Sequence, residues 1–222
     1  MAGGIEVKTP EQVLVMRRAG LVVARTLAAL RDAAAPGVTT GELDALAREQ
    51  LAGAGATSSF LNYGGGWGIP PFPAVTCISV NDEIVHGIPG SRVLADGDLV
   101  SVDFGAIVDG WHGDSAISFS VGTARADDVR LSDATRMSMW RGIAAARLGG
   151  RVGDISAAVE GYVRSRRERY GIVREFTGHG IGSQMHQPPD VPNHGRRGRG
   201  PLLVEGICLA VEPMLTLGGE GT

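Results

Sequence analysis

Several absences narrow what this sequence can be. Cysteine is scarce: Cys77 and Cys208 are the only two in 222 residues. They are too few and too far apart for a disulfide framework. Both sit inside apolar segments, so a thiolate zinc pattern is missing too, and a reducing, cytoplasmic setting is expected. No apolar run approaches the roughly 20 residues that a bilayer-spanning helix needs. The opening MAGGIEVKTPEQV has no basic-then-apolar leader, so secretion is not expected. A charge of one sign is also lacking. Lys+Arg 21 against Asp+Glu 24 gives a net charge of -3 and a pI near 6.0, no basis for a membrane surface or a specific nucleic acid as partner. No low-complexity linker divides the chain. Its length and 43% hydrophobic content suffice for one large domain or two fused halves.

What is present reads as helices and strands in alternating blocks. Thr9-Pro10-Glu11 places proline at a first helical position, and EQVLVMRRAGLVVARTLAALRDAA continues as an amphipathic helix. Pro36-Gly37 interrupts it. TTGELDALAREQLAGAG restarts a helix with Thr or Gly capping and Glu in the first turn. A Gly- and Pro-rich loop surrounds Tyr63 and Trp67. AVTCISV, LVSVDFGAIV and SAISFSV are predicted strands, DATRMSMWRGIAAARLGG and GDISAAVEGYVRSRRERYG predicted helices, and VEGICLAVEPMLT the last strand. The two halves echo each other. PGVTTGELDALAREQL resembles GGRVGDISAAVEGYV, His86-Gly-Ile is answered by His179-Gly-Ile, and VSVD ending at Asp103 is answered by LAVE ending at Glu212. A repeat at roughly a hundred residues is too long for a solenoid and fits fused half-domains. Helices followed by strands with hairpin turns argue for an α+β class.

The chemistry gathers in VSVDFGAIVDGWHGDSAISF, residues 100 to 119. Asp109-Gly110 is a two-residue hairpin signal. With those residues as the turn, Val108 pairs with Trp111 and Gly105 with Asp114. Asp103 then shares a face with Asp114 as a diagonal neighbour, roughly 7–8 Å away at Cα. Two carboxylates so placed repel unless a cation intervenes. A pair of divalent ions about 3.5–4 Å apart, bridged by one carboxylate, fits the spacing. Singly, Asp114 is equally a solvent-facing strand residue, His179 a loop histidine between glycines, and Glu212 a surface acid before a proline. Together, two Asp, one His and one Glu at the ends of duplicated elements are a donor set for hard or borderline divalent cations.

NDEIVHGIP, VDFGAIVDGWHGD, TGHGIG followed by His186, and AVEPM, with KTPEQVLVMRRAG at the start, resemble in order methionine aminopeptidase, type I. The resemblance implies a pseudo-twofold duplicated pita-bread fold, a curved antiparallel sheet flanked by helices. It implies a single catalytic domain over residues 1–222, made of halves at about 10–122 and 123–222, with two divalent metal ions. Oxygen-rich sites with one His accept Co, Mn, Fe or Zn. By position it implies Asp103, Asp114, His179 and Glu212 as metal ligands, with Asp114 bridging. His86 and His186 would hydrogen-bond the scissile amide and its carbonyl, and Glu212 would shuttle the proton of the attacking water. Tyr63, Trp67, Cys77 and Met185 would line the pocket for the methionine side chain. No residue matches the family's fifth ligand, a second bridging glutamate, so the chain is expected to lack the final strand or strands that carry it. The implied function is removal of the initiator methionine from nascent polypeptides with a small second residue, by a cytoplasmic monomer. The alternatives are a non-catalytic pita-bread protein that binds peptides or partners, or a prolidase-like peptidase. The basic loop NHGRRGRG reads as solvated, with the ribosome as its alternative partner.

Overall fold

Proline is tolerated in the first turn of a helix because the N–H it lacks would have no intrahelical acceptor there. Helix α1 (Pro10–Ala33) begins at Pro10 accordingly. The computed structural model describes residues 4–66, 68 and 70–219. Thr39 restarts the helix after Pro36-Gly37. Its Oγ1 accepts from the Glu42 N–H at 3.1 Å while the Glu42 carboxylate accepts from the Thr39 N–H at 2.7 Å. This capping box opens α2 (Thr40–Ala54), which stops at Gly55 in the left-handed conformation, φ 62°. Then come β1 (Thr57–Ser58), β2 (Thr76–Val80), β3 (Leu99–Val108) and β4 (Trp111–Ser120). They are followed by α3 (Ala126–Ala145), α4 (Val152–Arg164), β5 (Gly171–Ile172), β6 (Gly178–Gly180), β7 (Gln187–Val191) and β8 (Leu215–Thr216). The chain forms two compact units, a first of Glu11–Asp128 and a second of Val129–Thr222 with Met1–Pro10.

In the first unit, Asp109 and Gly110 have positive φ, 49° and 79°, the conformation a two-residue hairpin turn requires. The ladder runs unbroken from Val108↔Trp111 through Gly105↔Asp114 to Leu99↔Ser120, the register predicted from the turn. The other edge of β3 is shared by β2, against Val100–Phe104, and by β1, against Ala106 and Ile107. Alternation sorts the faces: Val100, Val102, Phe104 and Ala106 are fully buried with Val23, Leu27, Leu30, Leu43 and Leu51 of α1 and α2. Each of these Val, Leu and Phe side chains contributes on the order of 1.5–3 kcal/mol by leaving water. Asp103 and Gly105 belong to the opposite face, where Asp103 is half-buried. A strand that reads as core throughout thus has one apolar face and one that carries chemistry.

The second unit repeats the connections of the first. Before α2, Gly37 N–H donates to Leu94 O, Thr40 N–H to Arg92 O and Gly41 N–H to Gly90 O. Before α4, Gly149 N–H donates to Leu203 O, Val152 N–H to Pro201 O and Gly153 N–H to Arg199 O. The bridges Thr39↔Val93 and Arg151↔Leu202 match likewise. The duplication is therefore written in hydrogen bonds, but not where the His-Gly-Ile echo suggests. Val80 pairs with Val100 and Gly180 with Leu209, so His179 corresponds to Ser79 and not to His86. His179 is a strand residue, whereas His86 lies in a loop. The predicted last strand also differs. Cys208 and Ala210 hydrogen-bond beside β6, and only Leu215–Thr216 forms a strand, paired with β5. Pro213 between them has no N–H to give a ladder. Helix α4 ends at Arg164, short of the predicted Gly171, because the next residue, Ser165, turns its hydroxyl back onto Tyr162 O at 2.7 Å and competes with helix continuation.

Candidate metal centre

In the first unit, the hairpin places Asp103 and Asp114 on one face as diagonal neighbours, since Asp103 pairs with Ala116 and Asp114 with Gly105. Cys77 lies directly opposite Asp103 on β2. Its thiol pKa is pushed up by burial, then by the charges of Asp103, Asp114 and Asp44, so it stays a neutral sulfur. Asp44 is occupied otherwise, its carboxylate accepting from the Val75 and Thr76 N–H groups at 2.9 Å each and fixing the start of β2. Gly105 makes room over the acidic face, because a Cβ there would sit 2.7 Å from Ser59 Cβ. Ser59 in turn bonds His112 Nδ1 through its Oγ at 2.9 Å. Burial lowers the His112 pKa and the Asp114 charge opposes that. His112 is absent from the expected site residues, although its period-two spacing from Asp114 places it on the same face.

His86 has φ 58°, a left-handed conformation that is rare for a residue with a side chain and concentrates at functional sites. The loop is tied to β2 by its neighbour Gly87, whose N–H donates to Ser79 Oγ at 3.1 Å and whose carbonyl accepts from Ile78 N–H at 2.8 Å. Burial lowers the His86 pKa from its ordinary 6.5, which keeps the ring neutral at pH 7. Tyr63 is half-buried in the turn after β1, with its phenol pKa raised by burial. Trp67 lies outside the described residues.

In the second unit, His179 and Glu212 face each other, Nε2 to Oε1 at 3.3 Å. His179 Nδ1 is 3.0 Å from Gly180 O. A carbonyl only accepts, so Nδ1 carries a hydrogen and Nε2 meets the carboxylate through a second proton or a shared cation. This is the arrangement of a histidine readied for a metal, one nitrogen pinned to backbone and the other presented. The buried side chain of Asn193, another residue missed from sequence, donates from Nδ2 to Glu212 O at 3.1 Å and fixes the backbone at Glu212. The His186 ring stands 4.2 Å from that of His179, and Met185 beside it is buried. Within either unit, no group of three or more His, Cys, Asp or Glu among the described residues gathers in metal-binding distance. The donors stand as pairs, Asp103 with Asp114 and His179 with Glu212, oxygen-rich with one imidazole. That chemistry fits divalent ions of the first transition row.

Residues 15–222 match the profile of metallopeptidase family M24. The chain belongs to metallopeptidase family M24. It is 52% identical over 212 residues to the methionine aminopeptidase 1 of Mycobacterium tuberculosis, which covers 93% of this chain and 77% of that protein. The crystal structure of the methionine aminopeptidase from Rickettsia prowazekii is 36% identical and superimposes with a TM-score of 0.93, covering 99% of this chain and 85% of that one. Both likenesses place the chain beside the methionine aminopeptidases, with their pita-bread fold. The prolidase from Pyrococcus horikoshii shares the fold, with a TM-score of 0.77, but at 18% identity and with only 55% of its length covered. As an M24 peptidase the chain is a hydrolase that uses divalent metal. No helix among the described residues is long and apolar enough to cross a membrane.

Proposed function

We infer that this M24 peptidase removes the initiator methionine from nascent polypeptides whose second residue is small, and that it does so in the cytoplasm as a monomer. The observation that carries the site assignment is His179 Nε2 facing Glu212 Oε1 at 3.3 Å with Nδ1 committed to Gly180. Asp103, Asp114, His179 and Glu212 would hold two divalent ions, Co, Mn, Fe or Zn. Bound there, the ions supply Lewis acidity and bring the pKa of water toward neutrality. Glu212 takes the proton of the attacking water and passes it to the leaving amine. His86, neutral through burial, and His186 hydrogen-bond the scissile amide and its carbonyl as charge develops on them. Tyr63, Trp67, Cys77 and Met185 receive the methionine side chain. A neutral buried thiol and a thioether are polarizable partners for that sulfur.

Metal content after dialysis tests the assignment. Asp114→Ala loses both ions and activity together, while Asp103→Ala empties chiefly one site. Parental stoichiometry in the Asp114 variant would contradict its place among the ligands.

A further inference from the structure

The segment before α1 is built into the second unit rather than trailing from it. Lys8 N–H donates to Gly206 O at 2.8 Å. The Lys8 side chain is buried, its Nζ donating to Glu6 O at 3.0 Å and lying 3.4 Å from Glu6 Oε2. The Glu6 carboxylate then reaches a turn far along the chain. Oε2 accepts from the Ser183 N–H at 3.0 Å and from Gln187 Nε2 at 2.8 Å, and Oε1 accepts from the Ser183 hydroxyl at 2.7 Å. Gly182 allows the approach, for a Cβ there would stand 2.2 Å from Glu6 Oε2 and 2.3 Å from Lys8 Cε. Burial alone would raise the Glu6 pKa. The bonds from Gln187 and Ser183 and the charge of Lys8 outweigh it and hold the group at about 2, so it is a charged acceptor at any working pH.

Ser183 and Gln187 bracket Met185 and His186. One carboxylate therefore bonds the backbone and side chain on one flank of the turn and the side chain on the other, fixing the distance across it. At the base of the turn Gly180 pairs with Gln187, and the Gly182 N–H donates to Gln184 O at 3.0 Å, so the Glu6 carboxylate adds a second tie across the same loop. The tip presents the His186 ring at 4.2 Å from that of His179.

We propose that Glu6 is a positioning residue for His186: its carboxylate, gripping Ser183 and Gln187, sets where the His186 imidazole stands relative to the His179–Glu212 pair. The inference rests on the role assigned above to His186. It makes residues 6–8 part of the working site, although they lie far from its ligands in sequence. A group that only stabilised the fold would change the melting temperature and leave turnover below it intact.

The test is steady-state hydrolysis of a Met-Ala-Ser peptide by the metal-loaded protein well below its melting temperature, with Glu6→Ala introduced alone and together with His186→Ala. Glu6→Ala is expected to lower kcat by about ten- to a hundredfold, the scale of a misplacement near 1 Å. In the His186→Ala background the same change is expected to cost less than about twofold, because its target is gone. Glu6→Gln, which keeps one accepting oxygen, falls between, and Ser183→Ala reports the same coupling should Glu6→Ala fail to fold. An impaired His186→Ala beside an unimpaired Glu6→Ala, or an equal loss from Glu6→Ala in both backgrounds, would overturn the positioning role. A His186→Ala protein with parental kcat would overturn the reading of His186 itself, and the inference with it.

Discussion

Replacing Gly87 by alanine is the sharpest available perturbation of the candidate site that touches none of its functional groups. A Cβ at Gly87 would lie 2.2 Å from Ile78 O, 2.7 Å from Ile78 C and 3.0 Å from Ser79 Cα. All three are backbone atoms of β2 or its immediate partners, so no side chain can swing away to absorb the clash. Restoring ordinary contact requires the loop to retreat by about 1 Å, a displacement that costs on the order of a hundredfold in rate when it moves a group that must meet the reacting bond. His86, the adjacent residue at φ 58°, moves with it. The retreat also stretches the Ile78–Gly87 and Gly87–Ser79 hydrogen bonds, each worth about 1 kcal/mol net, on top of roughly 1–3 kcal/mol of overpacking. The assay is kcat and KM on a Met-Ala-Ser peptide with parallel thermal melts. Gly90→Ala serves as the control from the same loop, since a Cβ there meets nothing within 4 Å. The expectation is a fall in kcat near a hundredfold for Gly87→Ala, well below its melting temperature, and parental behaviour for Gly90→Ala. A Gly87→Ala protein within about twofold of the parent would refute the premise that this loop positions His86.

His86→Ala should retain its metals and lose kcat, because its proposed role is confined to the transition state; metal loss in that variant would show the residue to be a ligand. For specificity, kcat/KM on Met-Ala-Ser should exceed that on Leu-Ala-Ser by the graded factor that about 1–3 kcal/mol in an apolar pocket permits, and equal values would mean the pocket does not read the thioether. Glu6 has its folded pKa lowered to about 2 from 4.5, so its ionised form favours the folded state. That contribution is full above pH 4.5 and is lost as pH falls through 2. The melting-temperature difference between the parent and Glu6→Gln should therefore be constant above pH 4.5 and shrink below it. A difference that grew toward acid would reverse the assigned linkage.

The hairpin was the most legible part of the chain. Asp109-Gly110 favours the two-residue hairpin turn, and once the turn is set, period-two counting puts Asp103 and Asp114 on a common face. The capping box at Thr39 and Glu42 was legible for a similar reason, being a contact three residues long. Elements whose form depends on distant partners were not. The final predicted strand breaks at Pro213, and its two pieces pair with β6 and β5. The His-Gly-Ile echo matched letters at positions the ladders do not equate, since strand pairing and not residue identity defines the repeat. Around the candidate site, a family's motifs mark individual residues and leave unmarked those that hold them in place. Asn193 holds the Glu212 carbonyl, His112 bonds Ser59 beside Asp114, and Glu6 reaches Ser183 across most of the chain. Such partners carry no motif of their own. Of the three, only His112, by its spacing on β4, left a local trace.

Whether this M24 peptidase frees an N-terminal methionine through a divalent-metal centre is decided by following free methionine released from Met-Ala-Ser. The measurement is made on the protein as isolated, after exhaustive chelation, and after re-addition of Mn or Co. Release that stops on chelation, returns with the ion, and is absent from the N-acetylated peptide is the predicted result. Release that ignores the chelator, or no release with the ion restored, would contradict it.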